Sequence, residues 1–90
     1  MIDFEDAYQI ANTYITNLGN SCALPLEITE IITEDFGWIF IYNSSIYVKS
    51  GNFRDKLLGN SPFLVEKKTG EVVLCGTHQS VESFITNYKS

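Results

Sequence analysis

The first half of this chain has no lysine or arginine. Between Met1 and Val48 stand seven acids (Asp3, Glu5, Asp6, Glu27, Glu30, Glu34, Asp35) and no cation. All six cations (Lys49, Arg54, Lys56, Lys67, Lys68, Lys89) come later, among four further acids. The two parts carry −7 and +2, and the whole chain −5. Affinity for phosphate backbones comes from clustered Lys and Arg, so this balance excludes a general nucleic-acid binder. The asymmetry reads either as a soluble domain whose acids happen to fall early, which charge alone favours, or as a surface that steers a basic partner.

No apolar run approaches the ~20 residues of a membrane span, which excludes a helical membrane protein. The chain begins Met1-Ile2-Asp3-Phe4-Glu5-Asp6, acidic where a secretory leader is basic, so a cytoplasmic protein is expected. Cys22 and Cys75 are the only cysteines. Small secreted domains carry several disulfides, and so sparse a pair fits reduced thiols better. Prolines are equally few (Pro25 and Pro62), and there is no repeat, linker or low-complexity tract. Ninety residues, 44% of them apolar at zero mean hydropathy, fit one folded domain spanning residues 1–90.

Catalytic constellations are also missing. His78 is the only histidine, so any Ser-His-acid or Cys-His site must use it, with Cys75 three residues upstream. The pattern puts Cys75 at a strand end and His78 in the following loop, where the two need not face each other. A structural zinc site wants four N or S ligands, and the chain holds three such residues. The stretch Gly70 to Gly76 lacks the Gly-Lys-Ser/Thr ending of a phosphate loop. Glu5-Asp6 and Glu34-Asp35 read as a helix start and a turn. The expectation is a protein with no catalytic residue, no metal and no cofactor.

What is present is a clear order of elements. Phe4, Ala7, Tyr8, Ala11, Ile15 and Leu18 recur on one helical face, with Asp3 as N-cap and Gly19-Asn20 as the close. Leu26 to Thr33 is β-rich, and its imperfect alternation predicts a bulge near Thr29-Glu30. Asp35-Phe36-Gly37 reads as a turn. Trp38 to Tyr42 is the strongest strand, aromatics on one face and isoleucines on the other, so it is expected at the sheet centre. Asn43-Ser44-Ser45 is read as a break and Ile46-Tyr47-Val48 as a short strand extension. Lys49 to Asn60 is a polar connection with one helical turn, carried by Phe53 and Leu57. Pro62 to Glu66 and Glu71 to Cys75 form a hairpin around Lys67-Lys68-Thr69-Gly70, the glycine taking positive φ. Val81, Phe84, Ile85 and Tyr88 mark a final helix, capped by Ser80 or Thr77. The fold class is therefore α+β: an N-terminal helix, an antiparallel sheet of about four strands and a short C-terminal helix.

By now the residues carry a likeness. The run Gly37-Trp38-Ile39-Phe40-Ile41-Tyr42-Asn43-Ser44 resembles the G-W-x-F-x-Y-x-S segment of the immunity protein 35 (YrhB-like) family. Gly59-Asn60-Ser61-Pro62 is similar to its G-N-x-P, and Thr69-Gly70-Glu71 to its hairpin. Gly76-Thr77 and the helix through Val81, Phe84 and Tyr88 follow suit. The series departs at Ser80, where the family often has proline, and at His78, where it often has a small residue.

The resemblance implies a bacterial immunity protein that binds a cognate protein toxin and occludes its active site or substrate groove. It also admits a small holdase-like chaperone or general interaction module, which would use an apolar face beside the Trp38 strand. Partner contacts are expected at Glu27, Glu30, Glu34 and Asp35, the acids that attract a basic toxin, and at Tyr14 and Tyr47. Interface hot spots favour tyrosine; Tyr14 lies off the main stripe of the first helix and Tyr47 flanks the break after the central strand, where each either meets a partner or completes the core. The two-sided apolar strand suits either two covering helices in a monomer or a homodimer.

Overall fold

Asp3 starts the first helix: its Oδ1 accepts the Asp6 amide at 2.9 Å, satisfying one of the free donors of the first turn. The computed structural model describes residues 1–52, 54, 56, 61–76 and 80–89. Over these the chain runs α1 (Phe4–Cys22), β1 (Leu26–Glu34), β2 (Gly37–Ser44), α2 (Ser45–Ser50), β3 (Phe63–Glu66), β4 (Val72–Leu74) and α3 (Val81–Lys89). The four strands form one antiparallel sheet in the order β1-β2-β3-β4. This is the predicted α+β arrangement. Among the described residues, no helix is long and apolar enough to cross a membrane.

The helix α1 outlasts its predicted close by nearly a turn. Gly19 is buried inside it, and the left-handed residue that ends it is Ala23, at φ 55°. The Leu24 amide donates to Gly19 O and the Ala23 amide to Asn20 O, the paired reverse bonds of a Schellman close. Gly19 serves that return differently. A Cβ there would stand 2.6 Å from the Leu24 carbonyl oxygen, so the absent side chain lets the chain fold back.

Two apolar layers flank the sheet. Trp38, Phe40, Tyr42, Phe63 and Val65 face α1, whose contribution at the contact is Ala7, Ala11 and Ile15. Two alanines let the helix axis approach closely, and the large rings of the sheet fill the space. On the other face Ile39, Leu64 and Cys75 pack with Phe84 of α3. Fully burying a side chain of this size contributes about 1.5–3 kcal/mol, so the two layers dominate stability. The alternation along β2, aromatics one way and isoleucines the other, is as predicted, and β2 is covered on both faces.

One element differs in kind. Ile46-Tyr47-Val48 is not strand but the middle of α2. Ser44 closes β2 and at once caps the helix, its hydroxyl accepting the Tyr47 amide at 3.1 Å. The predicted break at Asn43-Ser44 is thus paired strand to its end. At the hairpin Gly70 has φ 75° and donates to Glu66 O, as the turn requires. Ser80 caps α3 by accepting the Ser83 amide at 3.1 Å. The predicted turn at Phe53 and Leu57, the Thr77 alternative, Gly59-Asn60 and His78 lie outside the described residues.

Candidate partner-binding surface

Strict alternation along β1 would set Glu27 on one face and Glu30 and Glu34 on the other. The register changes this. Ile28 pairs with Tyr42 but Glu30 pairs with Ile41, so Thr29 is an extra residue, the predicted bulge. Its Oγ1 donates to Ile41 O at 3.2 Å, fixing the irregularity. Glu27, Glu30 and Glu34 then oppose Asn43, Ile41 and Gly37, all on the α3 side of β2. The bulge collects three carboxylates on one face of one strand.

The other expected contacts scatter around this row. Asp35 is exposed in the turn that follows, but it lines a cleft of about 260 Å³ with Phe36, Glu66, Lys67, Lys68 and Tyr88, so its charge has cations nearby. Tyr47 is half-buried on α2, at the end of the sheet where β1 begins, with Lys56 Nζ 5.7 Å from its ring centre. Tyr14 sits on α1, across the sheet from the glutamates, its ring 4.6 Å from that of Phe63. The structure therefore unites Glu27, Glu30 and Glu34, sets Asp35 and Tyr47 at the two ends, and separates Tyr14.

A second feature was not foreseen. Phe4 and Tyr8 belong to the apolar face of α1 but lie at its margin, 42% and 38% exposed. Phe4 touches the edge of Trp38 and Tyr8 that of Phe40, with ring centres 6.1 and 6.4 Å apart. Trp38 and Phe40 pair with Thr33 and Ile31 on one side and with Val65 and Phe63 on the other; Ile10, on the opposite flank of α1, reaches Gly70 of the β3–β4 hairpin, which leaves Phe4 and Tyr8 on the flank toward β1. Helical periodicity assigns both to the core and does not say which flank stays open.

The two thiols form no disulfide, and Cys22 is exposed while Cys75 is buried. Burial pushes the Cys75 thiol up to about 11 from an ordinary 9.0, so it is protonated at neutral pH and is no nucleophile. Burial likewise raises the Tyr42 phenol, with smaller contributions from Tyr14 and Cys22 nearby. A raised folded pKa means that stability is whole below the unfolded value and is lost as pH climbs through the folded one. Wild type should therefore lose about 2–3 kcal/mol through Cys75 between pH 9 and 11. Urea unfolding at both pH values checks this: the gap between wild type and Cys75→Ala narrows by that amount. Parallel losses in the two proteins would point to another group. Among the described residues no group of three or more His, Cys, Asp or Glu is placed to hold a metal ion.

The sequence model of the family described as Immunity protein 35 matches residues 5–87. The chain is similar to a protein of Escherichia coli (strain K12) described as "Uncharacterized protein YrhB", 30% identical over 89 residues, covering 99% of this chain and 90% of that one. No solved structure matches it.

Proposed function

This chain belongs to the immunity protein 35 family, and from that premise we propose that it binds one cognate protein toxin and neutralises it by covering the active site or substrate groove. The family match over residues 5–87 carries the reading. The whole chain acts as one domain, in the cytoplasm of the producing bacterium, as a stoichiometric binder and not as an enzyme. The footprint is centred on Glu27, Glu30 and Glu34, with Asp35 and Tyr47 at its ends. Tyr14, across the sheet, falls outside it and supports the core.

The dimensions support a blocking role. A standard interface takes about 800 Å² from each partner, roughly a seventh of the 5677 Å² that this protein exposes. Three like charges on one strand face also hasten the capture of a basic toxin, in a salt-dependent way. The faces of β2 itself offer a holdase no surface, since Trp38, Ile39, Phe40 and Tyr42 are at most 7% exposed.

The test is co-purification with the product of the neighbouring gene, joined to a growth assay. The expected result is a one-to-one complex, with growth restored when both proteins are expressed together. Substoichiometric suppression of citrate synthase aggregation, without a toxin complex, would replace this reading with the chaperone.

A further inference from the structure

β1 is an edge strand. Among the described residues its outer side has no neighbouring strand, and no backbone hydrogen bond beyond the β1–β2 ladder reaches residues 26–33. An edge strand offers N–H and C=O groups to a further strand, and proteins commonly blunt such edges with charged side chains, proline, bulges or shortness. The opposite edge, β4, is blunted by shortness, with three residues. β1 has neither lysine nor proline. It carries glutamates and a bulge instead.

Resting on the inhibitor reading, we propose that the outer edge of β1 is where the toxin is captured, and that the occupant is an extended toxin segment alternating cations with apolar residues. Downstream of the bulge, Glu30 to Glu34 is regular strand. Glu30 and Glu34 face one way, while Ile31 and Thr33 face the other, beneath the exposed rings of Phe4 and Tyr8. An added strand meets both faces at once, because its side chains alternate as those of β1 do. On the α3 side its residues lie beside Glu30, Ile32 and Glu34, so each cation there is next to or diagonal from a carboxylate, and the residues between lie against the aromatic shelf. Main-chain pairing supplies affinity and the alternating side chains supply specificity, as in other strand-addition complexes.

The same geometry disfavours a second copy of this chain as the occupant. Two β1 edges paired antiparallel about a twofold axis keep their α3 faces on the same side. With the axis at Ile32, Glu30 of each copy lies opposite Glu34 of the other, and like charges so placed are destabilising.

The experiment is an amide NMR titration of the isotope-labelled full chain with a blocked peptide alternating lysine and valine. Two further peptides carry N-methyl groups, one on all lysine amides and the other on all valine amides. The expected shifts fall on Thr29 to Asp35 and on the amides around Phe4 and Tyr8. One methylated peptide loses at least about tenfold in affinity while the other binds as before, because only alternate amides of an added strand point at the edge. Replacing lysine by glutamate in the peptide abolishes binding. Shifts on another face, equal effects of the two methylations, or no shift at about 5 mM peptide would each overturn the edge. A toxin complex whose protected amides lie away from β1 would likewise overturn the edge while leaving the inhibitor reading intact. Peptide docking at β1 with no toxin complex would do the reverse.

Discussion

Gly37→Ala should unfold this protein or lower its melting temperature by about 15–30 °C. Gly37 opens β2 at φ 155°, a positive φ in which L side chains are strained. The neighbours matter more than the angle. A Cβ at this position would lie 2.3 Å from the Val65 carbonyl oxygen and 3.0 Å from Leu64 Cδ1. Gly37 is paired with Glu66 across the β2–β3 ladder, so the nearest crowding atom, the Val65 oxygen, is backbone of the adjacent strand and cannot rotate aside. The strain costs about 1–3 kcal/mol, and overpacking against fixed backbone adds about 1–3 more. Domains of this size have only about 5–13 kcal/mol in all, and each kcal/mol moves the midpoint by about 4–8 °C. Thermal melts followed by circular dichroism decide it, with Gly51→Ala as the comparison. Gly51 also has positive φ (67°), but an added Cβ meets nothing within 4 Å, so only a few degrees should be lost there. Equal melting of the two variants would show that the β2–β3 contact yields.

How much of this could be read from the sequence depended on how local each feature is. The helix α1, the caps Asp3 and Ser80, the hairpin glycine and the central place of Trp38 to Tyr42 follow from periodicity and short-range chemistry, and all are present. The α2 segment went the other way. Ile46-Tyr47-Val48 is rich in strand formers, but one hydroxyl at Ser44 starts a helix and Gly51 ends it within six residues, too few for propensity to decide. The end of α1 was misplaced for a related reason. Gly19 has the residue type of a helix close, yet its missing side chain is used to admit Leu24, a contact the linear pattern does not contain.

The candidate site shows the same division. A break in alternation near Thr29 is visible in the sequence, but its consequence is not. Only the pairing of Glu30 with Ile41 turns Glu27 onto the face of Glu30 and Glu34. Register is set by which residues of β2 lie opposite, so no count along β1 alone gathers the three carboxylates. The open flank at Phe4 and Tyr8 was hidden similarly, because it depends on α1 leaving the edge of β1 uncovered.

Reversing Glu27, Glu30 and Glu34 together to lysine should weaken toxin binding about a hundredfold and abolish growth protection. An exposed ion pair contributes about 0.2–1 kcal/mol, and reversal both removes the attraction and adds a repulsion of similar size. Three positions then give about 3 kcal/mol, or roughly two decades in Kd. The change also takes the net charge from −5 to +1, so much of the loss should lie in the association rate and should shrink as salt is raised. Asp35→Lys alone should cost less than about threefold, because Lys67 and Lys68 already line its cleft. Glu27 and Glu34 are half-buried and Glu30 is exposed, so the single variant Glu30→Lys keeps the test sound if the triple variant melts early. Tyr14→Ala should behave oppositely: its ring packs on Phe63, so stability falls by about 2–4 kcal/mol while the affinity of the folded fraction holds. Surface plasmon resonance at two salt concentrations, beside melting curves, separates these cases. A folded triple variant that binds as wild type does, with no salt dependence in either, would remove the glutamate row from the interface and leave the apolar shelf of Phe4 and Tyr8 as the docking surface.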